Sequence, residues 1–332
     1  MSNTLYSEAT SKSEPRTNMS YLLELPVEVC LNISDHLLQV DAVCLALTCK
    51  ALLCLLGGRD RMRLEPPDKE TLLCRLEADV TGVVYCHTCH KLMPFDDAPP
   101  IFGFRLNRLP DSQFPKCVCS SMVWCSGANF RLPYYLARLA TNYQLLGPKH
   151  GIPLSYLSYE YRRPYLDCVS STLAPLRSRL KMCQKEAAIA KLIGNELFIR
   201  LTHTIFHEEA DTEMLQKYIA ATPFYICKHT TFGAYSWNQD DDVNLPALDA
   251  TRARGSDYHN TGSCRRCMTD WDTSIEWTDG ECGWVVRVKA YYGLGRCRSP
   301  SDPKWRALST MSMKCAYRDV PMGAIKQRWL AE

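Results

Sequence analysis

The sequence predicts an α+β fold, and three patterns lead to this prediction. Apolar residues recur at helical spacing near the N-terminus, as expected for short amphipathic helices. Residues 196–206 alternate between apolar and polar side chains, which is typical of a half-buried strand. Two further alternating segments, 271–278 and 282–292, flank Asp279-Gly280, a residue pair favoured in tight hairpin turns. Helices followed by antiparallel strands are typical of the α+β class.

The first predicted helix begins near Pro26, because proline fits the first helical turn, where its missing N–H costs nothing. Val29, Ile33 and Leu37 follow at intervals of four residues. This spacing places their side chains in one apolar stripe along one face of the helix.

A second helix is predicted to begin after Asp41, which is a suitable N-cap residue. Its apolar pattern includes Leu45 and continues until Gly57-Gly58, where glycine favours a helix end. Three short helices therefore fall within residues 21–58. A unit of about 40 residues is marginal for independent folding, so this segment needs a neighbour to cover its apolar surface.

The composition is that of an ordinary globular protein. The 332 residues are 46% hydrophobic and 23% charged, and a net charge of +3 does not by itself imply nucleic-acid binding. Residues 1–20 are polar and lack an apolar run, so we expect a disordered tail rather than a signal peptide or anchor. The most apolar window, 42–56, is shorter than the roughly 20 residues of a spanning helix.

These features predict an intracellular protein of the cytoplasm or nucleus with no membrane association. The eighteen cysteines are then expected to be thiols or metal ligands rather than disulfides. Residues 59–68 are charged, contain Pro66-Pro67 and are predicted to form a linker. The body, 69–332, is predicted to begin with a helix over 69–79 and a strand over 83–85, and to include a short helix over 214–219.

Residues 25–50 resemble the F-box family. That family reads Leu-Pro-x-Glu, then Ile and Leu at helical spacing, an Asp, a Leu, and a Cys-Lys or Cys-Arg pair. The resemblance covers about 40 of the 332 residues. Many F-boxes carry an aromatic residue after the Cys-Lys pair, where this chain has Ala51-Leu52. The matching positions are Leu25, Pro26, Glu28, Ile33, Leu37, Asp41, Leu45, Cys49 and Lys50.

The resemblance implies a non-catalytic adaptor. F-box helices dock onto the Skp-type adaptor of the Skp–cullin–F-box ubiquitin ligase and through it reach a cullin, while the rest of the chain holds a protein substrate of unknown identity. The body, with its Gly- and Pro-containing stretch over 147–153 and its cysteine-rich segments, is also similar to fungal F-box proteins with uncharacterised C-terminal regions. The residues expected to contact the Skp-type adaptor are Leu25, Pro26, Val29, Ile33, Leu37 and Leu45.

Two alternatives remain open from the sequence. The first is an F-box-like scaffold that acts outside a ligase. The second is a zinc-dependent regulatory or nucleic-acid-binding protein that uses its mildly basic C-terminal end from residue 251 onward. Nucleic acid is nevertheless not the expected partner, because charge counts say little without a clustered face.

Four pairs of cysteine or histidine residues predict structural zinc. In two of the pairs, two residues separate the cysteines, and the tight turn between them aims both side chains at one ion. In the other two pairs, one residue separates the ligands. Together the four pairs offer eight ligands, enough for two tetrahedral sites. The simplest combination joins the first pair to the second and the third to the fourth. The four pairs are Cys86/Cys89, Cys117/Cys119, Cys227/His229 and Cys264/Cys267.

Other ligand combinations remain open from spacing alone. His87, His90 and Cys125 lie close enough in sequence to substitute at the first site. A RING finger is not expected. At the ligand spacing that a RING finger requires after Cys119, this chain has Met122 and Trp124, which do not bind zinc.

No catalytic residues are predicted. The sequence lacks the glycine-rich phosphate loops, the nucleophile elbow and the His-Glu-x-x-His pattern of known enzyme classes. His203, His207 and Glu208 are interpreted as solvent-exposed polar residues at a strand end.

Overall fold

A computed structural model describes residues 21–58, 62–95, 121–125, 130–163, 182–221, 224–232, 258–278, 283–309 and 315–332. The predicted tail, 1–20, lies outside these residues. The chain divides into two compact units, Met1–Arg75 and Leu76–Glu332. Helices and antiparallel sheets occur together, which confirms the predicted α+β class.

The N-terminal unit contains three short helices: α1 (Val27–His36), α2 (Gln39–Leu47) and α3 (Lys50–Leu56). The second helix begins earlier than predicted, so Asp41 lies in its first turn instead of capping it. The interior of the unit is small and centres on Ala46, Leu52 and Leu56.

Helix α4 (Pro66–Asp79) begins inside the segment predicted to be a linker. Its start at Pro66-Pro67 is physically reasonable, because the first helical N–H groups have no partner within the helix and proline lacks one. The predicted start at residue 69 was therefore three residues too late. Within the N-terminal unit, Arg75 of α4 forms an ion pair with Asp41.

Two hairpins open the described strands of the second unit. β1 (Val83–Cys86) pairs with β2 (Lys91–Pro94), and β3 (Met122–Cys125) pairs with β4 (Phe130–Pro133). The predicted strand over 83–85 thus exists and is one residue longer. Among the described residues, no helix is both long and apolar enough to cross a bilayer.

A six-stranded antiparallel sheet forms the centre of the second unit, in the order β10-β11-β12-β7-β6-β5. The predicted hairpin is present, because β11 and β12 pair from Thr269 opposite Tyr292 to Thr278 opposite Gly283. The turn residues Asp279-Gly280 lie outside the described residues. β8 and β9 form a separate hairpin. The strands are β5 (Tyr159–Arg163), β6 (Met182–Ile193), β7 (Glu196–His207), β8 (Phe224–Cys227), β9 (Thr230–Phe232), β10 (Tyr258–Ser263), β11 (Thr269–Thr278) and β12 (Gly283–Gly295).

The two faces of the large sheet differ in polarity. On the face we call inner, alternate residues such as Leu201 of β7 and Val286 of β12 are buried in the main apolar core. On the outer face, several of the intervening residues are polar, as at Thr202, Arg287 and Lys289. The alternation predicted for residues 196–206 therefore sets the orientation of β7 at the middle of the sheet.

Among the described residues of this unit there are four further α-helices: α5 (Tyr134–Leu146), α6 (Thr212–Ala221), α7 (Pro303–Leu308) and α8 (Ala324–Ala331). α6 confirms the short helix predicted over 214–219, whereas no boundary was predicted for α5. α8 covers one end of the outer face, where its Trp329 packs with Phe198 and Tyr291.

The Gly- and Pro-containing stretch over 147–153 ends α5 and turns back along it. Gly147 has φ +104°, a conformation that other residues rarely adopt. A Cβ on Gly151 would lie 1.9 Å from the Leu139 carbonyl oxygen, so this close approach requires glycine. The backbone N–H of Ile152 then donates to the same carbonyl at 3.3 Å.

A buried ion pair joins α4 to α5. The Arg138 guanidinium donates through Nε to both Glu77 oxygens, at 2.9 and 3.1 Å. Asn142 Nδ2 and the Tyr85 backbone N–H also donate to Glu77 Oε1, at 2.9 and 3.1 Å. Burial raises the pKa of Glu77, but the hydrogen bonds and charge of Arg138 outweigh it and hold the pKa below its ordinary value. The carboxylate is therefore charged and fully hydrogen-bonded in the folded protein.

Glu77→Gln is expected to destabilise the second unit by about 3–5 kcal/mol, because it leaves the Arg138 charge buried without its counter-charge. Urea denaturation followed by tryptophan fluorescence measures the change. Because the folded-state pKa of Glu77 is depressed, the stabilisation is present above the ordinary carboxyl pKa of 4.5 and is lost as pH falls below it. A Glu77→Gln/Arg138→Met variant should be more stable than Glu77→Gln alone; equal stability would contradict the ion-pair explanation.

Candidate metal centre

One group of four potential metal ligands converges in the second unit. Cys227 ends β8 and His229 lies in the tight turn before β9, while Cys264 and Cys267 lie in the connection between β10 and β11. All four side chains are buried. The structure thus brings together the third and fourth predicted pairs, although 34 residues separate His229 from Cys264 in sequence.

The distances suit a tetrahedral ion. The four ligand atoms lie within 4.8 Å of one another, and Cys264 Sγ is 3.7 Å from His229 Nδ1. Zinc–sulfur bonds of about 2.3 Å give a tetrahedral edge of roughly 3.8 Å. Only a small contraction would therefore close these side chains around one ion.

Backbone N–H groups already point at the sulfur atoms. The His229 N–H lies 3.4 Å from Cys227 Sγ, and the Arg266 N–H lies 3.3 Å from Cys264 Sγ. In both cases the donor follows the cysteine by two residues, as the tight turns dictate. Such donors stabilise negative charge on sulfur and orient the ligand, which is the role of the outer shell in metal sites.

The electrostatics of the thiols favour a cation at the centre. Burial raises the pKa of Cys227 to about 12 and that of Cys267 well above its ordinary value, whereas hydrogen bonds from these two thiols lower the pKa of Cys264. Without a cation, burial opposes the ionisation of Cys227 and Cys267. A divalent cation would allow all three to ionise, because metal binding displaces thiol protons.

One ring nitrogen of His229 lacks a hydrogen-bond partner among the described residues. His229 Nε2 is buried and forms no hydrogen bond with any described residue, and its Nδ1 faces the Cys264 sulfur. Buried polar atoms without partners are rare. A cation among the four groups would bind one of these two nitrogens. With four protein ligands, an ion bound here would have no open position for substrate, as is typical of structural metal sites.

A second layer of residues holds the Cys264–Cys267 loop in place. Arg318 Nη1 donates to the carbonyl oxygens of Cys264, Cys267 and Thr269 at 3.1, 3.0 and 3.3 Å. Its Nη2 donates to Asp270 Oδ1 at 2.8 Å, and both side chains are buried. Sequence reasoning missed Arg318 and Asp270, because an isolated arginine some 50 residues from the loop carries no spacing signal.

The first predicted site is described only in part. Cys86 ends β1 and Cys89 lies in the turn to β2, but Cys117 and Cys119 lie outside the described residues, as does the side chain of Cys125. Within the described part of the chain, the metal-ligand group in the second unit is the one group of its kind.

The two histidines beside Cys86 and Cys89 have other partners. His87 Nε2 is 3.3 Å from Arg138 Nη1, and burial together with the Arg138 charge lowers the pKa of His87 to about 4. His90 Nδ1 is 3.0 Å from the Tyr85 hydroxyl. Both rings therefore participate in the hydrogen-bonding network around the β1–β2 hairpin.

His203 and His207 are buried, which corrects the prediction that they are solvent-exposed. They lie on the inner face of β7, in the middle of the sheet, where neighbouring strands and the core cover them. His203 Nδ1 is 3.7 Å from Glu186 Oε2, and burial lowers the pKa of His203. His207 Nδ1 accepts the backbone N–H of Glu209 at 3.2 Å and so stabilises the turn after β7.

In the N-terminal unit, the predicted docking residues differ in exposure. Leu25, Val29, Ile33 and Leu37 expose 39, 41, 37 and 38% of their surface, and Pro26 is also exposed. These residues form a continuous stripe along α1 and its flanks.

Leu45, by contrast, is half-buried and packs against the unit's own interior. Of the fifteen large apolar residues that the described structure exposes, eight lie within residues 21–58. Apolar exposure is therefore concentrated in this short segment, which is typical of an interaction surface. The eight are Leu25, Val27, Val29, Ile33, Leu37, Leu38, Leu47 and Leu53.

Comparison with protein families, with characterised proteins and with solved structures finds no match to this chain.

Proposed function

We propose that the chain is a non-catalytic, substrate-recognition adaptor of a Skp–cullin–F-box ubiquitin ligase. In this role residues 21–58 dock onto the Skp-type adaptor, and the body presents a protein substrate. The observation that carries the proposal is the exposed apolar stripe on α1, at the positions that resemble the F-box. The role places the chain inside the cell, in the cytoplasm or nucleus.

The apolar stripe on α1 can supply part of the binding free energy of a stable complex, but not all of it. Full burial of an aliphatic side chain contributes roughly 1.5–3 kcal/mol. Covering the remaining two-fifths of Leu25, Val29, Ile33 and Leu37 therefore contributes about 2–5 kcal/mol together. A micromolar complex requires about 8 kcal/mol. The partner must therefore also contact neighbouring exposed residues, such as Leu38 of this unit.

Direct titration of the purified chain with a purified Skp-type adaptor tests the proposal. We expect a Kd of about 1 μM or tighter when the partner also covers the neighbouring exposed apolar residues of this unit. A folded chain that does not bind at about 50 μM adaptor would exclude the function. An F-box-like scaffold would bind equally well, but removing it from cells would leave the turnover of its partner proteins unchanged.

We propose further that the ion held by Cys227, His229, Cys264 and Cys267 is zinc, bound as a structural ion. Thiolate and imidazole ligands in a closed tetrahedral set favour zinc over magnesium or calcium, which prefer oxygen. Metal analysis of the purified chain is expected to find one zinc for this site. Exchange for cobalt should give the visible absorption of a tetrahedral thiolate site; a chain that folds fully while containing no metal would contradict the assignment.

A further inference from the structure

The outer face of the large sheet carries a polar groove near its β10 edge. The groove has a volume of about 200 Å³, enough for one or two side chains rather than a large ligand. It crosses three strands and reaches α8. Its charged or titratable lining residues are His259, Asp272, Glu276, Arg287, Lys289 and Lys326.

Both carboxylates of the groove already have cationic or hydroxyl partners. Glu276 accepts hydrogen bonds from Arg287 Nη1, at 3.1 Å to each oxygen. Asp272 accepts the Lys326 ammonium and the Tyr291 hydroxyl, the latter at 3.2 Å. Neither carboxylate therefore lacks a donor.

The remaining cation is Lys289. It lies directly opposite Asp272 in the β11–β12 register, yet its ammonium forms no hydrogen bond or ion pair within the described part of the chain. The groove thus contains three cations and two carboxylates. Its net positive charge and its unused donor both favour an anionic group.

We infer that the groove binds an extended segment of a substrate protein and that an anionic side chain of this segment, a carboxylate or a phosphate, binds Lys289. This inference rests on the proposed function, because an adaptor requires a substrate-binding surface on its body. Lys289 would select for negative charge.

The same residues that support the metal centre also position one wall of the groove. Asp270, which binds Arg318, accepts the backbone N–H of Lys326 at 2.9 Å. This contact fixes the start of α8 and with it the Lys326 side chain. A structural metal centre would therefore have a use in a non-catalytic adaptor, because it would help to fix the shape of this groove.

Labelled peptide pools test the inference. The probes are fluorescein-labelled seven-residue mixtures with Glu, phosphoserine, Gln or Lys fixed at the central position and the other positions randomised. The full-length chain is expected to bind the Glu or phosphoserine pool, or both, at least tenfold more tightly than the Lys pool. The ratio between the two anionic pools distinguishes a carboxylate from a phosphate. Equal binding of all pools, or binding of none, would overturn the inference.

Variants locate the binding. Lys289→Gln is expected to weaken anionic-pool binding at least tenfold, because it removes the cation and keeps a side chain of similar length. The matched control is Lys185→Gln, an exposed lysine on β6 outside the groove. Equal effects of the two substitutions would refute the role of Lys289.

Parallel titration with the Skp-type adaptor separates this inference from the proposed function. If both variants bind the adaptor and no pool binds the chain, the inference alone fails. If the anionic pools bind through Lys289 and the adaptor does not bind, the proposed ligase function is excluded, whereas the groove is still a peptide-binding site.

Discussion

Cys264→Ser is expected to remove the metal and to destabilise the second unit by more than about 5 kcal/mol. A serine hydroxyl does not ionise at neutral pH and cannot replace a thiolate ligand. The remaining three groups would be left buried, and two of them carry thiols whose burial opposes ionisation. Because the proposed ion would join the β8–β9 turn to the β10–β11 connection, both would loosen together.

Metal content by mass spectrometry and thermal unfolding by circular dichroism measure the two effects. The matched control is Cys183→Ser, which also replaces a buried thiol but lies outside the metal-ligand group. It should keep the metal and lose only the packing of one small side chain. If Cys264→Ser retained metal, or lost no more stability than Cys183→Ser, the centre would not be what stabilises this part of the fold.

Pro26→Asp/Ile33→Asp is expected to weaken binding of the Skp-type adaptor at least a hundredfold, about 2.7 kcal/mol. Two carboxylates would be buried in an apolar interface without partners, which is costly. The fold should survive, because Ile33 is exposed and Pro26 precedes α1 at its N-cap position, where aspartate is a favoured residue.

The same titration that tests the wild-type chain measures this loss, and circular dichroism checks that helix content is unchanged. Leu330→Asp, which replaces an exposed apolar residue of α8 outside residues 21–58, adds a carboxylate away from the docking unit and should bind normally. An intact double variant that bound as tightly as wild type would show that the α1 stripe is not the docking surface.

Local patterns were the most predictable part of this protein. The four-residue spacing of Val29, Ile33 and Leu37 predicted the exposed stripe on α1, because a helix places such residues on one face. The alternation around Leu201 predicted β7 for the same kind of reason. Helix starts were less predictable: Pro66-Pro67 read as a linker, since proline is equally compatible with a loop and with a first helical turn.

Ligand types were visible in the sequence, whereas the support of the metal centre was not. The short Cys227/His229 and Cys264/Cys267 pairs predicted two half-sites, and the simplest pairing joined them. Arg318 and Asp270 could not be found this way, because their roles arise where the C-terminal segment packs against the sheet.

The sequence alone determined the fold class, the apolar stripe of residues 25–37 and the identity of the thiol and imidazole groups. All of these follow from periodicity and side-chain chemistry within a few neighbouring residues. Only the tertiary structure decided that His203 is buried and that Lys289 lacks a counter-ion among the described residues. It also decided that Arg318 binds the Cys264–Cys267 loop. Burial and charge pairing depend on strands distant in sequence, and no local pattern specifies them.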